Sequence, residues 1–411
     1  MSLIGSLFAG VTGLSSNSQA MEIIGDNIAN VNTVGFKQSR GVFSDTFSNI
    51  LSNGSSFSQV GRGATLNGVI QSFSQGSLEA SPNALDLAID GSGFFIVNNG
   101  NGNYYTRNGQ LRMNQNGVVQ AITGETLQGY EITNSVTSSS LTDVDLAGVQ
   151  SAPVATTTFN LGANLNSSSS ATTTFTSPVS MYNSVGTNVI LSLTFTKQTG
   201  NTWNFAAAPS AGTVTSGASG SVTFGTAGQL SAVNGGSLTD LSIVIDYTSA
   251  SVPADTQTLN WDLVNSSNAT NGKLTGYAAA SNNNSLTQDG HGTGTLLGLA
   301  VNSVGVINGL FNNGQSESLF QVALADFLAP SGLTRQGDNL FAESDTSGSA
   351  TIGTANSGGF GSLEGSTLEL SNVDLAEEFV TMIQTQQAFQ ASARIINTTV
   401  DLLTETVNLV R

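Results

Sequence analysis

The 411-residue chain has no cysteine, which excludes disulfide staples, thiolate metal sites and a thiol nucleophile. It has one histidine, His291, so a multi-histidine metal centre is impossible. Ten basic residues, mostly isolated, stand against 27 acidic ones for a net charge of −17. No basic patch exists to neutralise a run of phosphates, and nucleic acid is excluded as a partner. No stretch approaches the ~18–20 apolar residues of a membrane-crossing helix. The first charged residue of either sign is Glu22. A secretory leader needs a basic segment before its apolar run, so the expectation is a cytosolic chain or one exported without a cleaved signal.

Catalytic patterns are missing too. Gly272-Lys273 is followed by Leu274, so no phosphate-binding loop ends there. Gly359 and Gly361 lack the third glycine of a dinucleotide fingerprint. No serine has glycine at both −2 and +2, as a nucleophile elbow requires. His291 lies between two glycines, a flexible turn, whereas a catalytic base must be held in place by an orienting partner. Asp143/Asp145 and Asp86/Asp90 do not match a spaced calcium loop. No enzyme activity, cofactor or metal is expected.

What is present is glycine, 47 residues, amid abundant Ser, Thr and Asn. Charged residues are only 9% of the chain, against a usual ~25%. This composition describes a turn-dense, β-rich protein with an uncharged polar surface. The ends differ from the middle. Residues 1–31 read as a helix, with Ile4, Leu7, Val11, Leu14, Met21 and Ile28 on a 3-4 spacing, the 3.5-residue period of a coiled-coil seam. Its glycines, Gly5, Gly10, Gly13 and Gly25, each cost up to about 1 kcal/mol in a helix interior, so this helix needs a partner.

The carboxy terminus supplies one. Leu375, Phe379, Met382, Gln386, Phe389, Ala393, Ile396, Val400, Leu403, Val407 and Val410 alternate steps of four and three, and no Gly or Pro occurs from Thr367 onward. Ser371 to Asp374 offers N-cap side chains, and Glu377 and Glu378 suit the helix dipole. Such regularity predicts a long helix packed along a narrow seam rather than a broad core face.

Between the ends the period is two. Leu191, Leu193 and Phe195, then Leu241, Ile243, Ile245 and Tyr247, then Leu259, Trp261 and Leu263 alternate with mostly polar residues, as half-buried strands do. Asn-Gly occurs ten times and favours type I′ hairpin turns. The fold class expected is multidomain: terminal α-helices paired as a coiled-coil-like inner domain, with nested antiparallel all-β domains. Composition divides the chain into a helical domain of 1–34 with 371–411, a connecting segment of 35–71 with 366–370, an intermediate β domain of 72–144 with 289–365, and an inserted outer β domain of 145–288.

Three motifs carry a resemblance. Asn27-Ile-Ala-Asn30-Val-Asn32-Thr-Val-Gly35-Phe36-Lys37 resembles the amino-terminal signature of the bacterial flagellar axial proteins (rod, hook and hook-associated). Asn372-Val-Asp374-Leu375, followed by Phe379 to Ile383 and Gln387 to Ala391, resembles their carboxy-terminal signature. Asp90-Gly-Ser-Gly-Phe-Phe-Ile-Val97 and Tyr105-Thr-Arg-Asn-Gly109 resemble their first β motif. Total length and the long insert fit the hook branch better than the shorter rod proteins.

The resemblance implies a self-polymerising subunit of a curved tube, a universal joint between rod and filament that encloses an export channel. It implies as partners other copies of the chain, distal rod, hook cap and hook–filament junction proteins, and the flagellar type III export apparatus. The location would be the cell exterior. The polymerisation seam would comprise Leu7, Val11, Leu14, Met21, Ile28, Phe379, Met382, Phe389, Ile396, Val400, Leu403 and Val407. Asn27, Asn30 and Asn32 are expected to cap the first helix and pair with backbone groups, with a positive φ at Gly35. The competing readings are a distal-rod-type axial protein and a secreted β-rich adhesin that binds glycans; an adhesin has no need of two complementary seams at opposite ends of its chain.

Overall fold

The computed structural model describes residues 3–46, 49–53, 56–267 and 269–409. The chain divides into two compact units. The first comprises Met1–Gly148, Gly298–Gly309 and Glu317–Arg411; the second comprises Val149–Leu297 and Leu310–Ser316.

In the first unit the ends are helical: α1 is Leu3–Ala29 and α2 is Leu375–Leu409. Asp374 caps α2, its Oδ1 accepting from the backbone N–H of Ala376 at 2.8 Å and of Glu377 at 3.3 Å, so two of the orphan donors of the first turn are satisfied.

Residues 35–71 carry no clear period in the sequence, yet most of this segment is strand. Strand β1 (Ser39–Asp45) pairs antiparallel with β4 (Ala64–Gln71), with a bulge between Val42 and Phe43. Between them β2 (Asn49–Asn53) pairs with β3 (Ser56–Val60). Few positions of β1 and β4 are buried, so no apolar alternation marks them.

The rest of the first unit is antiparallel sheet. Phe94–Asn98 pairs with Asn103–Thr106 and with Ser316–Asp326, and the last also pairs with Thr126–Thr133. Phe94, Ile96, Tyr105, Ala325, Phe327 and Phe341 form its core, with Phe94, Tyr105, Phe327 and Phe341 in edge-on ring contacts. The chain returns to close it: Ser362–Gly365 pairs with Leu87–Asp90, and Thr367–Glu369 with Leu78–Ala80.

The second unit contains a five-stranded antiparallel sheet from Thr174–Tyr182 to Leu230–Val233 and a six-stranded sheet. One continuous core joins them, with Trp203, Phe195 and Leu193 from one sheet and Trp261, Ile243 and Phe159 from the other. The alternating runs seen in the sequence lie here and bury alternate residues as expected. The all-antiparallel expectation needs one correction. Thr158–Asn164 runs parallel to Gln257–Trp261 and to Leu274–Thr275. Strands this far apart in sequence have a connection long enough for a parallel pairing, which a tight turn cannot make.

The Asn-Gly expectation is also corrected in part. Asn234-Gly235 has both residues at positive φ, 51° and 71°, the type I′ arrangement. Asn134-Ser135 and Asp338-Asn339 take the same form. At Asn116-Gly117 and Asn313-Gly314 only the glycine has positive φ. Asn67-Gly68 lies inside β4 beside its bulge, and Asn53-Gly54 extends outside the described residues.

Candidate functional site

The two terminal helices lie against each other, antiparallel, with Gly10 facing Ile396 and Gly13 facing Ser392. A Cβ on Gly10 would stand 2.9 Å from Ile396 Cγ1, and one on Gly13 would stand 3.0 Å from Ser392 Oγ. Gly10 and Gly13, two of the four glycines that weaken α1 as an isolated helix, are therefore what lets α2 approach so closely, whereas a Cβ on Gly25 would meet nothing within 4 Å.

This close approach decides which residues of α2 face inward. Glu378, Thr385 and Thr399 are buried, and with half-buried Ser392 they repeat every seven residues. Met382, Phe389, Ile396 and Leu403 form a second, half-buried line. The seam read from the sequence shares that second line but is displaced by one residue on the other: Phe379, Val400 and Val407 are 50%, 47% and 64% exposed, and Val410 lies outside the described residues. The reason is steric. A helix face of glycine, serine and asparagine accepts small and polar neighbours at short range, and the bulky line beside them stays outside. On α1, Leu7, Leu14, Met21 and Ile28 are half-buried, whereas Val11 is exposed along with Ile4 and Phe8.

The β1–β4 ribbon packs on the same helix. Ser16 Oγ donates to the Ala64 carbonyl at 3.0 Å. Gly41 leaves room for Ile23, whose Cδ1 would lie 3.1 Å from a Cβ there. Between α1, β1 and the start of α2 lies a groove of about 500 Å³, walled by Ala20, Ile23, Gly41 and Phe43 and rimmed by Arg40 and Glu377.

Where the helices leave the β region, buried polar groups tie them down. Asn27 is 1% exposed. Its Nδ2 donates to the Ser39 carbonyl at 2.9 Å and to Glu378 Oε1 at 2.8 Å, and its Oδ1 accepts from Ser39 N–H at 2.9 Å. Gln38 Nε2 reaches the same Glu378 oxygen at 2.7 Å. Asn372 accepts from Gln38 N–H at 2.7 Å and donates to the Ser72 and Ser74 carbonyls.

One carboxylate gathers the rest. Glu369 is 0% exposed. Its Oε1 accepts from Lys37 Nζ at 2.6 Å and from Gly76 N–H at 2.9 Å; its Oε2 accepts from Arg107 at 3.2 Å. Its backbone carbonyl accepts from Gly35 N–H at 2.8 Å. Lys37 also donates to the Ser74 carbonyl, and Arg107 to that of Gly91. Burial pushes both cations below their usual ranges, and Glu369 offsets this only in part. Four stretches of chain, around residues 35–37, 74–76, 107 and 369, thus meet at one group.

The other motif residues fall around this junction. Gly35 has φ +70°, and a Cβ there would lie 2.6 Å from the Arg107 carbonyl carbon, so both conformation and space demand glycine. Phe36 is buried, with the Arg335 guanidinium 5.4 Å from its ring centre. Asn30 Nδ2 donates back to the Asp26 carbonyl at 2.9 Å. Asn32 is exposed and makes no side-chain hydrogen bond among the described residues, so the capping role expected of it is not seen. Sequence reasoning missed Glu369 entirely and read Glu378 only as a dipole partner. A usable signal existed: Lys37 and Arg107 are two of only ten basic residues, and each sits inside one of the quoted motifs.

The comparisons with known proteins agree with one another. Four family descriptions match in order: flagella basal body rod protein over residues 7–37, flagellar hook protein FlgE/F/G D1 domain over 88–152, flagellar basal body protein FlaE D2 domain over 150–291, and flagellar basal body rod FlgEFG protein C-terminal over 364–409. The flagellar hook protein FlgE of Borreliella burgdorferi is 32% identical over 98% of this chain and 99% of its own. That of Escherichia coli is 31% identical over 97% and 98%, and that of Treponema pallidum 30% identical over 99% of each. The match to these relatives runs over almost the whole length of each chain, and the chain belongs to the flagellar hook protein FlgE family.

Proposed function

We infer that this chain is a structural subunit of the bacterial flagellar hook, acting outside the cell and not as an enzyme. It polymerises with copies of itself into a flexible curved tube that joins rod to filament and surrounds the export channel. Its neighbours are the distal rod, the hook cap and the hook–filament junction proteins, and it leaves the cell through the flagellar type III apparatus without a cleaved signal. Paired helices 1–34 and 371–411 build the inner tube, 72–144 with 289–365 form the intermediate domain, and 145–288 the outer one.

The observation that carries this reading is the apolar surface left on the helix pair. Phe8, Val11, Phe379, Ile383, Val400 and Val407 are each 47–64% exposed. With about half of each side chain still to be covered, each contributes roughly 1 kcal/mol, and burial of this kind helps offset the ordering of a weak helix. The seam read from the sequence is then satisfied between copies as well as within one. Electron microscopy of the purified chain in rising salt tests this: screening of the −17 charge should promote tubes with a central channel. Phe379→Asp and Leu403→Asp should abolish them while the β signature in circular dichroism stays. Tubes built by a chain lacking residues 1–30 and 371–411 would refute the role given to the helices.

A further inference from the structure

We propose that the free end of the helix pair in one copy seats in the groove at the base of the helix pair in the next copy, with Asp401 and Glu405 of the first against Arg40 of the second. This rests on the hook-subunit reading and assigns the contact that propagates it.

The free end is defined by the antiparallel register. Gly10 faces Ile396 and Gly13 faces Ser392, so the first turns of α1 lie beside the last turns of α2. Ile4, Phe8, Leu402 and Val407 there are 61%, 50%, 56% and 64% exposed. On α1 this end carries no charged side chain before Glu22. In a chain of net charge −17, that makes it a surface on which two copies repel little. Asp401 and Glu405 are the acids of the adjoining turns. Both are exposed, and neither has an ion-pair partner among the described residues. The carbonyl end of α2 adds partial negative charge.

The groove has the complementary character. Ala20, Ile23 and Phe43 make an apolar wall. Arg40 stands exposed at the rim with no acid bound to it among the described residues. Of the acids that share this groove, Glu378 is committed to Asn27 and Gln38, and Glu377 stays exposed on the rim. A neutral apolar tip with two flanking acids fits an apolar slot with one free cation.

Position then dictates the kind of assembly. Phe8 and Ile23 are fifteen residues apart on α1, roughly 22 Å at the helical rise. The donor surface and the acceptor surface are therefore separate places on the same copy. Between copies that point the same way such a contact is head-to-tail and propagates as an open series, giving a ladder, whereas a mutual antiparallel pair would stop at a cross-linked dimer and overturn the proposal.

The test exploits the absence of cysteine. In the full chain, Phe8→Cys with Phe43→Cys should give a ladder of intermolecular disulfides on oxidation of tubes, and no cross-link in dilute monomer. Arg40→Glu alone, and Asp401→Lys with Glu405→Lys, should each raise the concentration needed for tube formation at low salt about tenfold. Combining all three should restore it, and that rescue excludes simple misfolding. Tubes from the unaltered chain, combined with no 8–43 ladder, or with a tip-to-tip ladder from Phe8→Cys alone, would overturn the docking and leave the subunit reading standing. Failure of the unaltered chain to form tubes in any salt would overturn both.

Discussion

The helix pair of the first unit and the second unit handle apolar surface in opposite ways. In the second unit, bulky residues of both sheets are sealed into one core: Leu193, Phe195, Trp203, Ile243 and Trp261 are each 0% exposed. In the first, the helices leave Phe8, Phe379 and Val407 half exposed or more, while the buried positions include Lys37, Glu369, Glu378 and Asn27. The second unit is held by sealed apolar packing. The helical part of the first is held by hydrogen bonds and ion pairs at its base, and its apolar faces remain for other molecules. A fold that polymerises must withhold some hydrophobic burial from the monomer, and polar anchoring keeps the withheld surface in a defined place.

That contrast can be broken from either side, and the two tryptophans allow each side to be watched. Trp203 and Trp261 are the only tryptophans, and both lie in the second unit, so their fluorescence follows that unit alone while the helical circular dichroism signal follows the first.

The largest effect is expected at Glu369. Glu369→Gln leaves Lys37 and Arg107 buried without a counter-charge, at a cost of about 3–5 kcal/mol. In urea the helical transition should move to lower concentration while the tryptophan transition stays. A shared shift of both would show that the units do not divide their stability as described.

Leu193→Ala is the converse. Removing a fully buried side chain from a dense core costs about 2–5 kcal/mol, and only the fluorescence transition should move.

Alkali sharpens the comparison. Tyr247, buried and donating to Gln257 Oε1 at 2.9 Å, has its pKa pushed up to about 12 by burial. The sign follows from which state binds more protons. Below the unfolded value near 10 both states keep the phenol proton and its stabilisation is complete; between about 10 and 12 the unfolded chain releases it first, and the second unit loses stability. The loss approaches about 2–3 kcal/mol. Stability against pH from 9 to 12, read by fluorescence, should fall in the native chain and flatten in Tyr247→Phe.

The smallest effect is at Asp26, whose 3.2 Å pair with Arg335 is nearly half exposed on both sides. Asp26→Asn should cost under about 1 kcal/mol. A cost like that of Glu369→Gln would mean that burial is not what separates the two ion pairs.

Legibility in the sequence followed the range of the interactions. Helix α2 was readable because its 3.5 period and its cap are local: the regular pattern begins at Leu375, where the helix does, and Asp374 caps it through neighbouring N–H groups. The strands at 188–197 and 241–246 were readable because one face is sealed. The β1–β4 ribbon was not, since few of its positions are buried. The phase of the α2 seam was half readable. Two adjacent lines of residues both fit a 3.5 period, and only the glycines of α1, acting from nearly 400 residues away, choose between them. The Glu369 cluster was illegible for the same reason: its ion pairs span 332 and 262 residues.

By itself the sequence determined that the ends are helices and the middle is hairpin-rich sheet, that no thiol or multi-histidine chemistry exists, and which family signatures stand at which positions. These follow from period, composition and turn chemistry, all of which act over a few residues. Tertiary structure alone decided which side of α2 turns inward, that one buried carboxylate joins four distant stretches, and that a free tip and an open groove lie at different places on one helix pair. Those outcomes depend on how closely two backbones can approach and on which charges are left without water, and neither is set until distant segments meet.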